Sequence, residues 1–166
     1  MTTVQAKIAT SPLPAAPLKR EDIAGLSGLD IMLAMQAGKL PPPPIAETAH
    51  FTLAEVGDGR VVFEGTPTPE FLNPLGTVHG GWIATLIDSA MGCATHTKLK
   101  AGQIYTTIEM KLNYTRAVLP QTGLVRCEGY VVHAGSRIIT TEARMTDANG
   151  KILAHGSETC LIMDAK

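Results

Sequence analysis

An aspartate halfway along an apolar run is the first residue of this chain that calls for a chemical explanation. Asp88 interrupts Trp82-Ile83-Ala84-Thr85-Leu86-Ile87 and Ala90-Met91, and an ionised carboxylate among such neighbours must find partners or shift its pKa. Two readings fit. In the structural one, Asp88 caps or hydrogen-bonds neighbouring backbone, or joins an ion pair; in the functional one it is a base or nucleophile. Nine residues earlier, His79-Gly80-Gly81 follows Asn73-Pro74-Leu75-Gly76-Thr77-Val78 at a loop-to-helix junction. N–H groups in a first helical turn have no intrahelical acceptor, and glycine lets another molecule's carbonyl approach them, which makes an oxyanion site. The two glycines also fit plain tight packing of helix on sheet. A carboxylate and a carbonyl polariser on one helix are more specific together than apart.

The elements that must position these groups follow from hydrophobic period. Residues 79–95 contain no proline and are apolar around most of their circumference, as expected of a helix buried on several sides. Thr85, Asp88, Ser89, Gly92 and Thr95 recur at spacings of three to four and form one small, polar edge, which should face a pocket or a partner subunit. Strand patterns lie at His50–Val56 and Arg60–Thr66 around a Gly57-Asp58-Gly59 turn, and at 104–114, 123–134, 137–147 and 151–163. Within 104–114, strict alternation sets Ile108, Met110, Leu112 and Tyr114 on one face and Thr107, Glu109, Lys111 and Asn113 on the other. The expectation is a six-stranded, mainly antiparallel sheet around one helix, an α+β fold. Ahead of it, residues 1–22 read as a mobile tail, 26–35 as a short helix, and Pro41–Pro44 as a stiff connector. This divides the chain into an N-terminal extension, 1–45, and one domain, 46–166.

Composition closes off other classes. Lys plus Arg is 14 and Asp plus Glu 15, a net charge of -1, so no global field draws nucleic acid, and aromatic residues are only 4% of the chain, too few for a stacking platform. Cys93, Cys127 and Cys160 are odd in number and far apart, which argues against a disulfide framework or zinc cage and for a reducing cytoplasm. The amino terminus lacks a signal-type apolar core, and Trp82–Ala94 is too short and too interrupted to span a membrane. No GxSxG, HExxH, Walker-type or GxGxxG motif occurs, and His50, His96, His133 and His155 show no ligand spacing.

NPLGTVHGGWIATLIDSAMG, followed by YTTIEMKLNYTRAV and AGSRIITTEARMTDANGKILAHG, resembles the PaaI-type acyl-CoA thioesterases of the hotdog-fold superfamily, over about residues 26–163. The resemblance implies a curved antiparallel sheet wrapped around one long central helix, homodimers joined sheet edge to sheet edge and assembling to homotetramers, and sites shared between subunits. It implies an acyl-CoA substrate with a small, aromatic or medium-chain acyl group, no metal and no cofactor apart from the substrate's own coenzyme A. By position it puts the Gly80 N–H at the thioester carbonyl and makes Asp88, from the opposite subunit, the base or nucleophile. Asn73 falls where an amide positions carbonyl or water, and Thr107 where a hydroxyl holds that water. His79 orients the loop, for its glycine neighbours supply no triad. Gly81 and Ser89 join the substrate-binding set, as do Ser136 and Arg137, the leading phosphate contact ahead of Lys98, Lys100 and Arg116. Ala117 departs from the proline frequent at that position in the family. A thiol of pKa about 8.5 leaves without a strong general acid, so this small kit suffices. A non-catalytic acyl-CoA-binding protein is the rival reading; a hotdog dehydratase would need a His and an acid paired differently.

Overall fold

The computed structural model describes residues 18–165. Of the tail expected over 1–22, residues 1–17 lie outside the described residues, while Arg20–Ile23 forms a 3-10 turn. Helix α1 (Gly28–Gln36) starts at a capping box in which the Ser27 hydroxyl accepts the Asp30 N–H at 3.2 Å and the Asp30 carboxylate accepts the Ser27 N–H. The proline run does not remain a connector to its end. Pro44 opens a second helix, α2 (Pro44–Thr48), because proline's fixed φ and missing N–H suit the first helical position. The chain leaves α2 through His50, whose φ of 55° is the left-handed step that commonly follows a helix end, and strand β1 therefore begins at Phe51 rather than His50.

Six strands form one antiparallel sheet in the order β1-β2-β4-β5-β6-β3: β1 (Phe51–Gly57), β2 (Arg60–Gly65), β3 (Gln103–Tyr114), β4 (Val125–Ala134), β5 (Ile138–Asp147) and β6 (Ile152–Asp164). Helix α3 (Gly80–His96) lies against its concave face, the hotdog arrangement that the resemblance implied. Leu86, Ile87, Ala90, Met91 and Ala94 are fully enclosed by Val61, Phe63, Val125, Cys127, Ala143 and Met145 from the sheet. The closest approach is at Gly129 of β4, where a Cβ would stand 2.3 Å from the Ala90 carbonyl oxygen, so only glycine lets helix and sheet meet there. The N-terminal extension packs on this unit: α1 lies on β1 and α3, and the Trp82 indole N–H donates to the Ala49 carbonyl at 2.8 Å.

One departure from the expected alternation changes the site. A bulge between Thr107 and Glu109 of β3 leaves Ile108 unpaired, so Thr107 pairs with buried Cys160 and shares the inward face with Met110 and Leu112, while Glu109 points outward. Strict period two had set Thr107 and Glu109 on the same side; the extra residue of a bulge reverses the parity.

Candidate active site

Three local arrangements converge along α3. At its start, the His79 ring caps the helix: Nδ1 accepts the Gly81 N–H at 2.9 Å, and the His79 carbonyl accepts the Trp82 N–H. The Gly81 amide is thus taken by the cap. The Gly80 N–H, at the first helical position, is left without an acceptor among the described residues. Gly80 opens into a cleft of about 340 Å³ shared with Asn73, Thr77, Tyr114 and Arg116, and the Tyr114 hydroxyl donates to the Gly80 carbonyl at 3.1 Å. Asn73 is held by its own loop: Oδ1 accepts the Leu75 N–H at 2.9 Å and the Thr77 N–H at 3.3 Å, and Nδ2 donates to the Thr77 hydroxyl at 2.6 Å. One N–H of the amide remains for the cleft.

Midway along α3, half-buried Asp88 faces the Thr107 hydroxyl. Burial pushes its carboxyl above the ordinary aspartate range, and the hydrogen bond from Thr107 pulls it part of the way back. Behind Thr107 stands a residue absent from the sequence-based set, Glu158 of β6, only 1% exposed, whose Oε1 lies in hydrogen-bond contact with the Thr107 hydroxyl at 2.7 Å. In the sequence it is one polar residue of an alternating strand, and only the fold shows that its row, Ala154, Gly156, Glu158 and Cys160, faces inward. Ser89 directs its hydroxyl to the Thr85 carbonyl at 2.7 Å, and Thr85 to that of Gly81 at 2.9 Å. The polar edge expected on α3 is therefore partly internal. Thr95 is fully buried, and Gly92 is covered by the Tyr105 ring, whose hydroxyl would stand 2.6 Å from a Cβ there.

At the far end of α3, Cys93, His96 and Tyr105 border an apolar cavity of about 440 Å³ whose other walls include Met32, Met35, Pro41, Leu53 and Phe63. The extension supplies much of that wall. Exposed Arg137 and Ser136 sit in the β4–β5 turn, and the Arg137 carbonyl accepts the Ile162 N–H at 2.8 Å. Ile162 pairs with Tyr105, so Arg137 belongs to the end of the molecule where α3 finishes, opposite Gly80. Lys98 is engaged by Asp58 at 2.9 Å. Eight residues of helix separate Gly80 from Asp88, about 12 Å along the axis. One protomer alone does not bring the open amide and the carboxylate to a common atom.

A carboxylate, an open helix-start amide and an apolar cavity are parts suited to hydrolysis of an activated acyl group. The model of the Thioesterase superfamily matches residues 75–154, which hold Gly80, Asp88, Thr107 and Arg137 but neither Asn73 nor Glu158. A Saccharolobus solfataricus protein described as a candidate esterase is 32% identical over 65% of this chain and 75% of its own length. Human acyl-coenzyme A thioesterase 13 is 28% identical over 65% of this chain and 76% of its length. Among solved structures, a Ralstonia eutropha protein described as a candidate thioesterase related to phenylacetic acid degradation superposes with a TM-score of 0.72 at 24% identity, covering 78% of this chain and 98% of that one.

Proposed function

The chain belongs to the Thioesterase superfamily, and on that footing we propose that it hydrolyses the thioester of an acyl-coenzyme A to the free acid and coenzyme A. Water adds to the thioester carbon, the carbonyl oxygen becomes an oxyanion on the Gly80 N–H of one protomer, and the C–S bond breaks. Asp88 of the other protomer takes the proton of the attacking water and the thiolate recovers a proton as it leaves. Thr107 and Asn73 hold water and carbonyl, and His79 keeps the glycine turn in place. Arg137, with Ser136, meets the phosphates of coenzyme A.

The observation that carries this reading is Asp88, a half-buried carboxylate facing a hydroxyl that a bulge has turned inward, on the same helix that begins with an open amide. The acyl group is assigned to the apolar cavity beyond Cys93, which begins five residues along α3 from Asp88, about 7.5 Å of helix. Its size and lining suit an aromatic or medium-chain acyl group, with few polar atoms to satisfy.

The shared site requires a homodimer, and β3 is the edge to join it: twelve residues long, at the end of the strand order, with Ile104, Ile108, Met110 and Tyr114 all exposed in the single chain. Two such dimers back to back give the tetramer. Among the described residues no helix is long and apolar enough to cross a membrane, and Cys93, Cys127 and Cys160 are free thiols, which suits a cytoplasmic protein.

The test is thiol release from acetyl-, phenylacetyl-, benzoyl- and octanoyl-coenzyme A. Asp88→Asn is expected to lower kcat by about 10²–10⁴, the range of general-base catalysis, with the oligomer intact. Equal turnover in the variant removes Asp88 from the mechanism. No release from any substrate by the unmodified protein, together with measurable binding of the same compounds, makes it an acyl-coenzyme A-binding protein instead.

A further inference from the structure

We propose that Glu158 is a positioning residue of this site: as a neutral carboxylic acid in the core, it donates to Thr107 and thereby turns the Thr107 hydroxyl onto Asp88, the carboxylate left to ionise. This rests on the reading of Asp88 as the base.

The geometry is that of one hydroxyl set between two carboxylates, in hydrogen-bond contact with Glu158 and facing Asp88. Glu158 Oε1 lies 2.7 Å from the Thr107 hydroxyl and 2.9 Å from the Cys160 thiol, and the same Thr107 hydroxyl serves Asp88. Glu158 Oε2 is buried without a hydrogen-bond partner among the described residues, as is the hydroxyl of Thr141, the residue directly across from it on β5. The titratable groups around this cluster are Asp88, Cys93 and His96 from α3, Tyr105 from β3 and Cys160 from β6, while β5 contributes Thr141 and Ala143. None is a cation: burial favours neutral His96, and the thiols of Cys93 and Cys160 are pushed up to about 12 and stay protonated. Lys111, Arg144 and His155 line a cleft on the opposite face of the sheet.

Two acids this close, with no positive charge between them, share one proton at neutral pH. It belongs on Glu158, which is fully enclosed, rather than on half-open Asp88. A hydroxyl has one hydrogen to give. If Glu158 is ionised, Thr107 gives that hydrogen to Glu158, as the heavy-atom distance alone permits. If Glu158 is an acid, its own O–H serves Thr107 Oγ1, and the Thr107 hydrogen goes to Asp88. The second arrangement is the one that holds Asp88 in a fixed direction and favours its charged form. A leucine would fill the space with no oxygen left unsatisfied, so the cost of burying an acid here is offset by its effect on its neighbour.

Glu158→Gln keeps the shape, the neutrality and a donor. It is expected to retain kcat within about threefold, with the acidic limb of kcat/KM unmoved. Glu158→Leu removes the donor. The Thr107 hydrogen keeps Asp88 as its acceptor, but the hydroxyl loses the donor that fixes its direction, so kcat should fall about tenfold, the size of one lost neutral hydrogen bond, with KM nearly unchanged and the acidic limb moved to higher pH. Adding Glu158→Leu to Thr107→Val should cost nothing beyond Thr107→Val alone. Wild-type kcat and limb in Glu158→Leu, or a Glu158→Gln variant as impaired as Glu158→Leu, overturns the proposal.

Infrared difference spectra decide the protonation state without turnover, and they do so even if Glu158→Leu fails to fold. The carbonyl band of a protonated carboxyl should be present at neutral pH in the unmodified protein and in Asp88→Asn, and absent in Glu158→Gln. Absence of the band from the unmodified protein refutes the neutral acid. Its presence in a protein that releases no thiol overturns the hydrolase reading while leaving the protonation state of Glu158 established.

Discussion

A base must be ionised to work, and Asp88 is held where ionisation is harder than usual. Because burial raises its carboxyl, the acidic limb of kcat/KM should lie at higher pH than an ordinary aspartate would set, and it should vanish from the residual rate of Asp88→Asn. The same shift has a stability consequence of definite sign. Between the unfolded and the raised folded pKa the native state binds more protons than the unfolded state, so stability falls as pH rises through that window. Asp88→Asn should therefore be more stable than the unmodified protein at neutral pH, and the gain should disappear below the ordinary carboxylate range. Thermal melts at several pH values read this directly, and a gain that is constant with pH would contradict it. Asp88 and Gly80 were legible in the sequence because a lone acid in a greasy run and a paired glycine at a helix start are both local anomalies. Glu158 was not singled out because it sits in a strand, where alternate polar residues are ordinary until one knows which face is inside.

Elements follow hydrophobic period closely here. All six strands and α3 begin and end within about two residues of their expected places, since each buries one face or nearly all of its surface. What period cannot show is a change of parity, and the bulge at Ile108 is one: it decides that Thr107 lies on the face of the sheet toward Asp88 rather than on the outer face. Nor does it show α2, a single turn held by Pro44 and the Trp82 indole rather than by amphipathic pattern. The approach of α3 to the sheet gives a packing test. In Gly129→Ala the new methyl meets the Ala90 carbonyl at 2.3 Å, so helix or strand must shift, at about 1–3 kcal/mol, read as a lower denaturant midpoint with an unchanged slope. The extension gives a specificity test. Met35→Trp fills part of the cavity that α1 and the proline segment build, and should lower kcat/KM for octanoyl-coenzyme A about tenfold or more while sparing acetyl-coenzyme A. An equal loss on both substrates would mean that the cavity does not take the acyl group.

At the scale of the whole molecule, a single chain leaves two things unfinished: a twelve-residue edge strand with exposed apolar side chains, and an amide and a carboxylate separated by more than two turns of helix. The proposed two-fold dimer through β3 would complete both at once: such a contact is isologous, so where Gly80 of one chain meets Asp88 of the other, the reciprocal pair forms as well. Gly80→Pro offers a clean removal of the amide. Proline is tolerated at the first helical position, and His79 already has the extended backbone, φ -61° and ψ 134°, that a following proline requires. Alone it should lose about 10²–10³ in kcat, and Asp88→Asn alone should be similarly poor. Mixed in equal amounts and reassembled from unfolded chains, the two variants form mixed dimers in half of cases. Each mixed dimer contains one site with both defects and one with neither, so activity should recover to about a quarter of the unmodified level. If amide and carboxylate act within one chain, every site in the mixture carries a defect and no activity returns.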